Sequence, residues 1–241
     1  MIELTILGRS GRYPERGGGC SAYLVRDRDT TILMDMGSGS IARFQDYVSI
    51  GDIDGIVFSH LHGDHMCDFL PFNYMMAYKK NEIIEPIEIY MPATPIDIHD
   101  VMVSNATYAH FHDVSDGDTV NIGTLSITFM RVNHPVECYA MRITNGESTL
   151  LFTGDTNLFD GIEGIFEGVD TVLGDACVLD AEWSKKSPHL SVKSLAELSR
   201  ASRLILTHLP DNETDIRRVY DEACSVHDDV VVAEVGVTYD I

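Results

Sequence analysis

The chain has 241 residues, 44% of them hydrophobic, enough to bury one large core, and a single domain over residues 1–241 is expected. Its formal net charge is −21, a surface that repels phosphate backbones and argues against a nucleic-acid partner, though not against a small anionic substrate at a site with its own positive charge. No apolar run approaches the ~18 residues of a membrane span and no basic N-terminus precedes an apolar stretch, so a cytoplasmic protein without a membrane partner is expected. Cys20, Cys67, Cys138, Cys177 and Cys224 are scattered and never form a CxxC pair. That spacing argues against a disulfide framework or a cysteine zinc site and reads as small buried hydrophobes.

In chain order, IELTIL (2–7), SAYLV (21–25) and TILMDMG (31–37) predict strands, being rich in β-branched residues or bounded by glycine. Residues 40–48 have helical spacing, with Ile41, Phe44 and Val48 on one face. GIVFSH (55–60) is a buried strand running into a histidine cluster, and residues 68–80 predict a helix with Pro71 near its first turn. ERGGGCS (15–21) reads as a loop near the site, without a phosphate-loop pattern, and SDGDTVNIG (115–123) as an exposed turn rather than a calcium loop. Further strands are predicted at 125–132, 139–144, 148–155, 168–176, 203–209 and 229–236, with an amphipathic helix over 191–202. The alternation and its doubling suggest two similar halves, each a β-sheet with helices outside.

Chemically loaded residues stand where apolar strands end: His60 after IVFS, Asp155 after LLFTG and His208 after LILT. Strand ends on one rim of a sheet are where ligands converge in many α/β folds. In HLHGDH, an extended segment turning into a helix would aim His60 and His62 one way and Asp64 and His65 at a neighbouring point, with Gly63 permitting the turn. Imidazole and carboxylate together form a zinc ligand set that manganese and iron also accept. With His134 in RVNHPVE, Asp155 and His208 added, five histidines and two aspartates make a two-metal site that Asp155 is able to bridge.

The order SHLHGDH, His134, TGDT and LTHL resembles the metallo-β-lactamase superfamily over nearly the whole chain. The resemblance implies an α/β fold, a four-layer αββα sandwich with a dinuclear site, most simply of zinc, at one edge. It implies that His60, His62 and His134 hold one metal, that Asp64, His65 and His208 hold the other, and that Asp155 bridges them. Asp35 in LMDMG matches an aspartate that braces the histidine loop. His189, in SPHLSVKSLAEL and 13 residues after Ala176 of LGDACVLD, is similar to a catalytic histidine of the ribonuclease Z branch.

One departure stands out. Ribonuclease Z enzymes carry a long tRNA-gripping arm between the third histidine and the bridging aspartate, whereas His134 and Asp155 are only 21 residues apart here. The chain therefore resembles the small members of that branch that hydrolyse simple or cyclic phosphodiesters, and a homodimer is implied by resemblance alone. The expected enzyme is a dinuclear-metal phosphodiesterase acting through a metal-bound hydroxide, with Asp64 orienting the attacking water and His189 protonating the leaving alkoxide. A ribonuclease Z-type RNA endonuclease and a glyoxalase II-like thioesterase or lactonase remain open, as does a metal-free binding module. His99, His110, His112 and His227 match no ligand position and are read as surface or rim residues.

Overall fold

The computed structural model describes residues 1–83 and 85–241. Six strands, β1 (Glu3–Gly8), β2 (Ala22–Asp27), β3 (Thr30–Met34), β4 (Gly55–Val57), β5 (Ile87–Pro92) and β6 (Ala109–Val114), build one sheet. The next seven, β7 (Thr119–Ile122), β8 (Leu125–Arg131), β9 (Tyr139–Thr144), β10 (Thr149–Phe152), β11 (Thr171–Asp175), β12 (Arg203–Thr207) and β13 (Val230–Val232), build a second. The last, β14 (Thr238–Asp240), returns to the first, giving the orders β14-β1-β2-β3-β4-β5-β6 and β13-β12-β11-β10-β9-β8-β7.

The two sheets share a plan. β1 to β3 are antiparallel and β3 to β6 parallel, while β7 to β10 are antiparallel and β10 to β13 parallel. Parallel strands are covered on both faces, so β3 and β11 are buried along their whole length. The period of two sorts each strand between cores: Ile32 and Met34 point between the sheets, and Leu33 points to the outer helical layer. The core between the sheets includes Tyr23, Val57, Phe129, Met141, Phe152 and Ile205.

Outside the first sheet, α1 (Ser40–Phe44), α2 (Gly63–Met66), α3 (Phe69–Tyr78) and α4 (Ile96–Asn105) contribute Phe44, Met66, Phe69, Phe72 and Met102 to a second core. Outside the other sheet, α5 (Val192–Leu198) and α6 (Glu213–Cys224) bury Val192, Leu195, Val219 and Ala223 against Leu151, Val172 and Leu204. The result is the four-layer αββα sandwich. No helix among the described residues is long and apolar enough to cross a membrane.

The predicted strands are recovered, most of them shorter than predicted, though β1 and β2 run past their predicted C-terminal ends, and His134 and Asp155 are joined through the β9–β10 hairpin, as their spacing requires. Three expectations need correction. The helix predicted over 40–48 ends at Phe44 and continues as turn. The exposed turn at 115–123 is a turn only at its two ends, because Thr119–Ile122 pairs with β8. The reading of the cysteines as buried hydrophobes holds for Cys20 and Cys138 but fails for Cys224, which is exposed at the end of α6.

Candidate metal centre

The C-terminal ends of β3 and β4 in one sheet face those of β10, β11 and β12 in the other, and the loops leaving them carry the polar residues. Asp35 follows β3, the His60–His65 turn follows β4, Asp155 follows β10, Asp175 ends β11 and His208 follows β12. His60 is locked by a backbone bridge to Cys138, and His62 caps the N-terminus of α2 in extended conformation, which sends Asp64 and His65 onto the first helical turn. The turn expected at Gly63 forms, but Gly63 is an ordinary helical residue with open space around it, so glycine is not needed there. It is needed at Gly37, where a Cβ would lie 2.0 Å from the Asp64 carbonyl oxygen. Gly11 likewise packs on the His208 ring, with a Cβ only 2.7 Å from Cδ2.

All seven residues expected to hold metal are brought together, in two groups. Donor atoms of His60, His62 and His134 lie within 4.8 Å of one another, as do those of Asp64, His65, Asp155 and His208. His62 Nδ1 and His134 Nε2 are 3.0 Å apart, near the ~3.3 Å edge of a tetrahedral ion with bonds of ~2.05 Å. Asp155 sits between the groups, with Oδ2 3.7 Å from His60 Nε2 and 3.5 Å from His208 Nε2, and Oδ1 3.4 Å from His65 Nε2.

The fit to metal ions rests on the polar atoms left over. His60 Nε2, His65 Nε2, His208 Nε2 and Asp155 Oδ1 are buried without a hydrogen-bond partner. Buried polar groups in proteins are usually satisfied, and an orphan costs about 1–3 kcal/mol. The other four orphans among the described residues, on Asp27, Arg43, His99 and His227, belong to neither donor group, whereas these four atoms all do. Meanwhile the opposite ring atoms are all engaged. His65 Nδ1 meets Asp35 Oδ2 at 2.7 Å, His60 Nδ1 meets Ser59 Oγ at 3.0 Å, His208 Nδ1 meets Ser21 Oγ at 3.2 Å and His134 Nδ1 meets the Pro188 carbonyl at 3.1 Å. Imidazoles anchored by one nitrogen and bare at the other are what metal ligation requires.

Charge follows the same plan. Burial pushes the Asp155 carboxyl up, but the His208 and His65 rings outweigh it and hold it well below the usual carboxylate range. Burial opposes charge on His65, yet Asp155 and Asp35 raise its pKa well above the ordinary value. An ion at His65 Nε2 would take the place of that proton.

Asp35 does brace the loop. It is fully buried, its backbone has φ 57°, and its carboxylate accepts from Ser59 N (2.8 Å), Ser59 Oγ (2.8 Å) and His65 Nδ1.

His189, also expected at the site, stands beside this centre with its ring centroid 5.2 Å from that of His208. Its Nδ1 meets Asp175 Oδ2 at 2.6 Å. Asp175 is a residue the sequence reading missed as functional, although it ends a strand just as Asp155 follows one. Burial disfavours charge on His189, but the Asp175 carboxylate overrides it and the pKa is pushed up to about 9. Ser59, Ser21 and the Pro188 carbonyl were also missed, and no motif signals them. The remaining histidines stay apart as expected: His110 and His112 are exposed on β6 and both bond Glu88, and His99 bonds Asp113.

Asp35→Asn removes the charge that orients His65 and should weaken metal affinity about 10–100-fold with the fold retained. Chelator competition on the purified variant checks this, and unchanged affinity would remove Asp35 from the centre.

Comparison with known proteins agrees with this architecture. Residues 30–209 match the family model described as the beta-lactamase superfamily domain. The probable metallo-hydrolase YhfI of Bacillus subtilis is 28% identical over 215 residues, 87% of each chain. The crystal structure of YhfI, a metallo-beta-lactamase fold protein, superposes with a TM-score of 0.90 at 26% identity over 99% of this chain and 98% of that one. A ribonuclease Z from Methanopyrus kandleri is 24% identical over 279 residues, covering 98% of this chain and 96% of its own. The chain is a metallo-hydrolase of the metallo-β-lactamase superfamily.

Proposed function

We propose that this metallo-hydrolase is a phosphodiesterase for small or cyclic phosphodiesters, with His60, His62 and His134 holding one divalent ion, Asp64, His65 and His208 a second, and Asp155 shared between them. The observation that carries the reading is the Asp175–His189 pair beside the metal groups: a buried imidazole whose Nδ1 is held by a buried carboxylate, which favours its protonated form. A thiolate leaves without help, whereas an alkoxide must be protonated, so such a group favours phosphodiesters over thioesters.

Divalent ions bound here, zinc being the simplest choice, would neutralise the anionic substrate and make water acidic enough to attack at neutral pH. The chain's own residues supply the rest. Asp64 is held by the Arg12 N–H, which donates to Oδ2 at 2.8 Å, and its carboxylate would orient the attacking water. As the P–O bond to the leaving group breaks, His189 Nε2–H donates its proton to the departing oxygen. Asp175 keeps Nδ1–H engaged, so the ring cannot turn away, and stabilises the imidazolium until transfer.

A second reading, RNA endonuclease, draws on the ribonuclease Z relative. The β9–β10 hairpin and the charge of −21 weigh against it, because neither offers RNA a grip.

His189→Ala should lower kcat on alkyl or nucleoside phosphodiesters about 10²–10⁴-fold and on bis(p-nitrophenyl) phosphate far less, since p-nitrophenolate leaves unaided. Equal losses on the two, measured in parallel, would remove the proton-donor role. The pH profile offers an independent check. His189 is active when protonated, so the rate on alkoxide leaving groups should fall as pH rises through its pKa. That value is about 9, and bound dications draw it lower. Asp175→Asn should move this limb to lower pH, and a limb that stays in place would show that Asp175 does not hold the proton.

A further inference from the structure

Beside the Asp64–His208 side of the centre opens a cavity of about 430 Å³. Cys177 and Leu209, close in the chain to Asp175 and His208, line it, but none of the seven residues proposed to hold metal does. A phosphodiester seated on the metal centre would therefore reach into the cavity with another part of the molecule.

Two cations line this space, Arg12 and Lys186. Among the described residues neither side chain has an ion-pair or hydrogen-bond partner. The carboxylates of the same cavity are engaged: Asp211 accepts from Tyr13 Oη at 2.7 Å, Asp215 pairs with Arg218 at 2.8 Å and Glu182 with Arg218 at 3.6 Å. Asp211 keeps its charge, because Tyr13 and Asn212 are neutral, so the cavity carries both signs, and Arg12 and Lys186 are its cations without an ion pair.

Both cations stand on backbone tied to the centre. Arg12 has a left-handed backbone, φ 65°, which lets its N–H reach Asp64 Oδ2. Its guanidinium charge acts on Cys177 and His189. Lys186 lies in a loop pinned from below by the buried Asn157. The Asn157 amide donates to the carbonyls of Lys185 (3.3 Å) and Ser187, and its oxygen accepts from Trp183 Nε1 at 3.0 Å. The next turn of the same loop is held by His134 through Pro188. Positions fixed by the backbone with side chains left unpaired describe a ready-made anion grip.

We propose that Arg12 and Lys186 bind a second anionic group of the substrate, so that the preferred substrates are phosphodiesters carrying a further phosphate or carboxylate. This rests on the phosphodiesterase reading for the scissile group but is read out separately from it. Metal-loaded protein is titrated calorimetrically with thymidine 3′,5′-bisphosphate and with thymidine 5′-monophosphate. The bisphosphate should bind about tenfold tighter or more, with a preference that shrinks as salt rises. Arg12→Gln and Lys186→Gln should each remove most of that preference, and Lys186→Arg should keep it. Trp183, the single tryptophan and part of the Lys186 loop, should change its emission with the bisphosphate.

Equal affinities in the wild type, or a preference that survives the double Gln substitution, would overturn the grip. Wild-type turnover of bis(p-nitrophenyl) phosphate separates the two ideas. Turnover without the preference removes the grip and keeps the phosphodiesterase; the preference without turnover does the reverse.

Discussion

Three imidazole nitrogens and one carboxylate oxygen, all buried and all without hydrogen-bond partners, lie in two adjoining donor groups. Left bare, each costs about 1–3 kcal/mol, and a fold that tolerates four together needs partners for them. Much else in the molecule serves this arrangement. Two packed sheets carry the strand ends, a glycine lets the β3 loop touch the Asp64 carbonyl, and four of the five rings are fixed from behind by a carboxylate, a hydroxyl or a carbonyl.

The doubled topology explains why the site lies where it does. Each sheet changes from antiparallel to parallel pairing partway across, and its parallel strands discharge their loops at one end. Stacking the sheets face to face brings the β3 and β4 loops of one against the β10, β11 and β12 loops of the other. One sheet supplies the HxHxDH turn and its Asp35 brace. The other supplies His134, Asp155, the Asp175–His189 pair and His208. Neither half has a complete centre alone, so closure of the core between the sheets and assembly of the site are the same event.

Much of this was legible in the sequence because the chemistry is concentrated. HLHGDH fixes four donors within six residues, and the strands that end in His60, Asp155 and His208 are continuous apolar runs. β5, α4, β6, β7, α6 and β14 have no counterpart among the predicted elements. β6, AHFHDV, is an edge strand with three exposed polar side chains, and β7, TVNI, alternates but is an edge strand of only four residues, too short a signal to stand out from the turn residues before it. α6 was readable: Asn212 caps it, and Ile216, Val219, Tyr220 and Ala223 recur at helical spacing. The support of the site was the least visible part. Asp175 reaches His189 across 14 residues, and the Pro188 carbonyl reaches His134 across 54, because such contacts are set by how loops pack and not by local pattern.

The most direct test of this account is the number of ions the chain holds. Metal-stripped protein, reloaded with zinc and weighed intact under native conditions, should carry two ions per chain, and His134→Ala should retain one, since His134 belongs to only one of the two groups. A chain that takes up no ion, or binds zinc identically with and without His134, would contradict it.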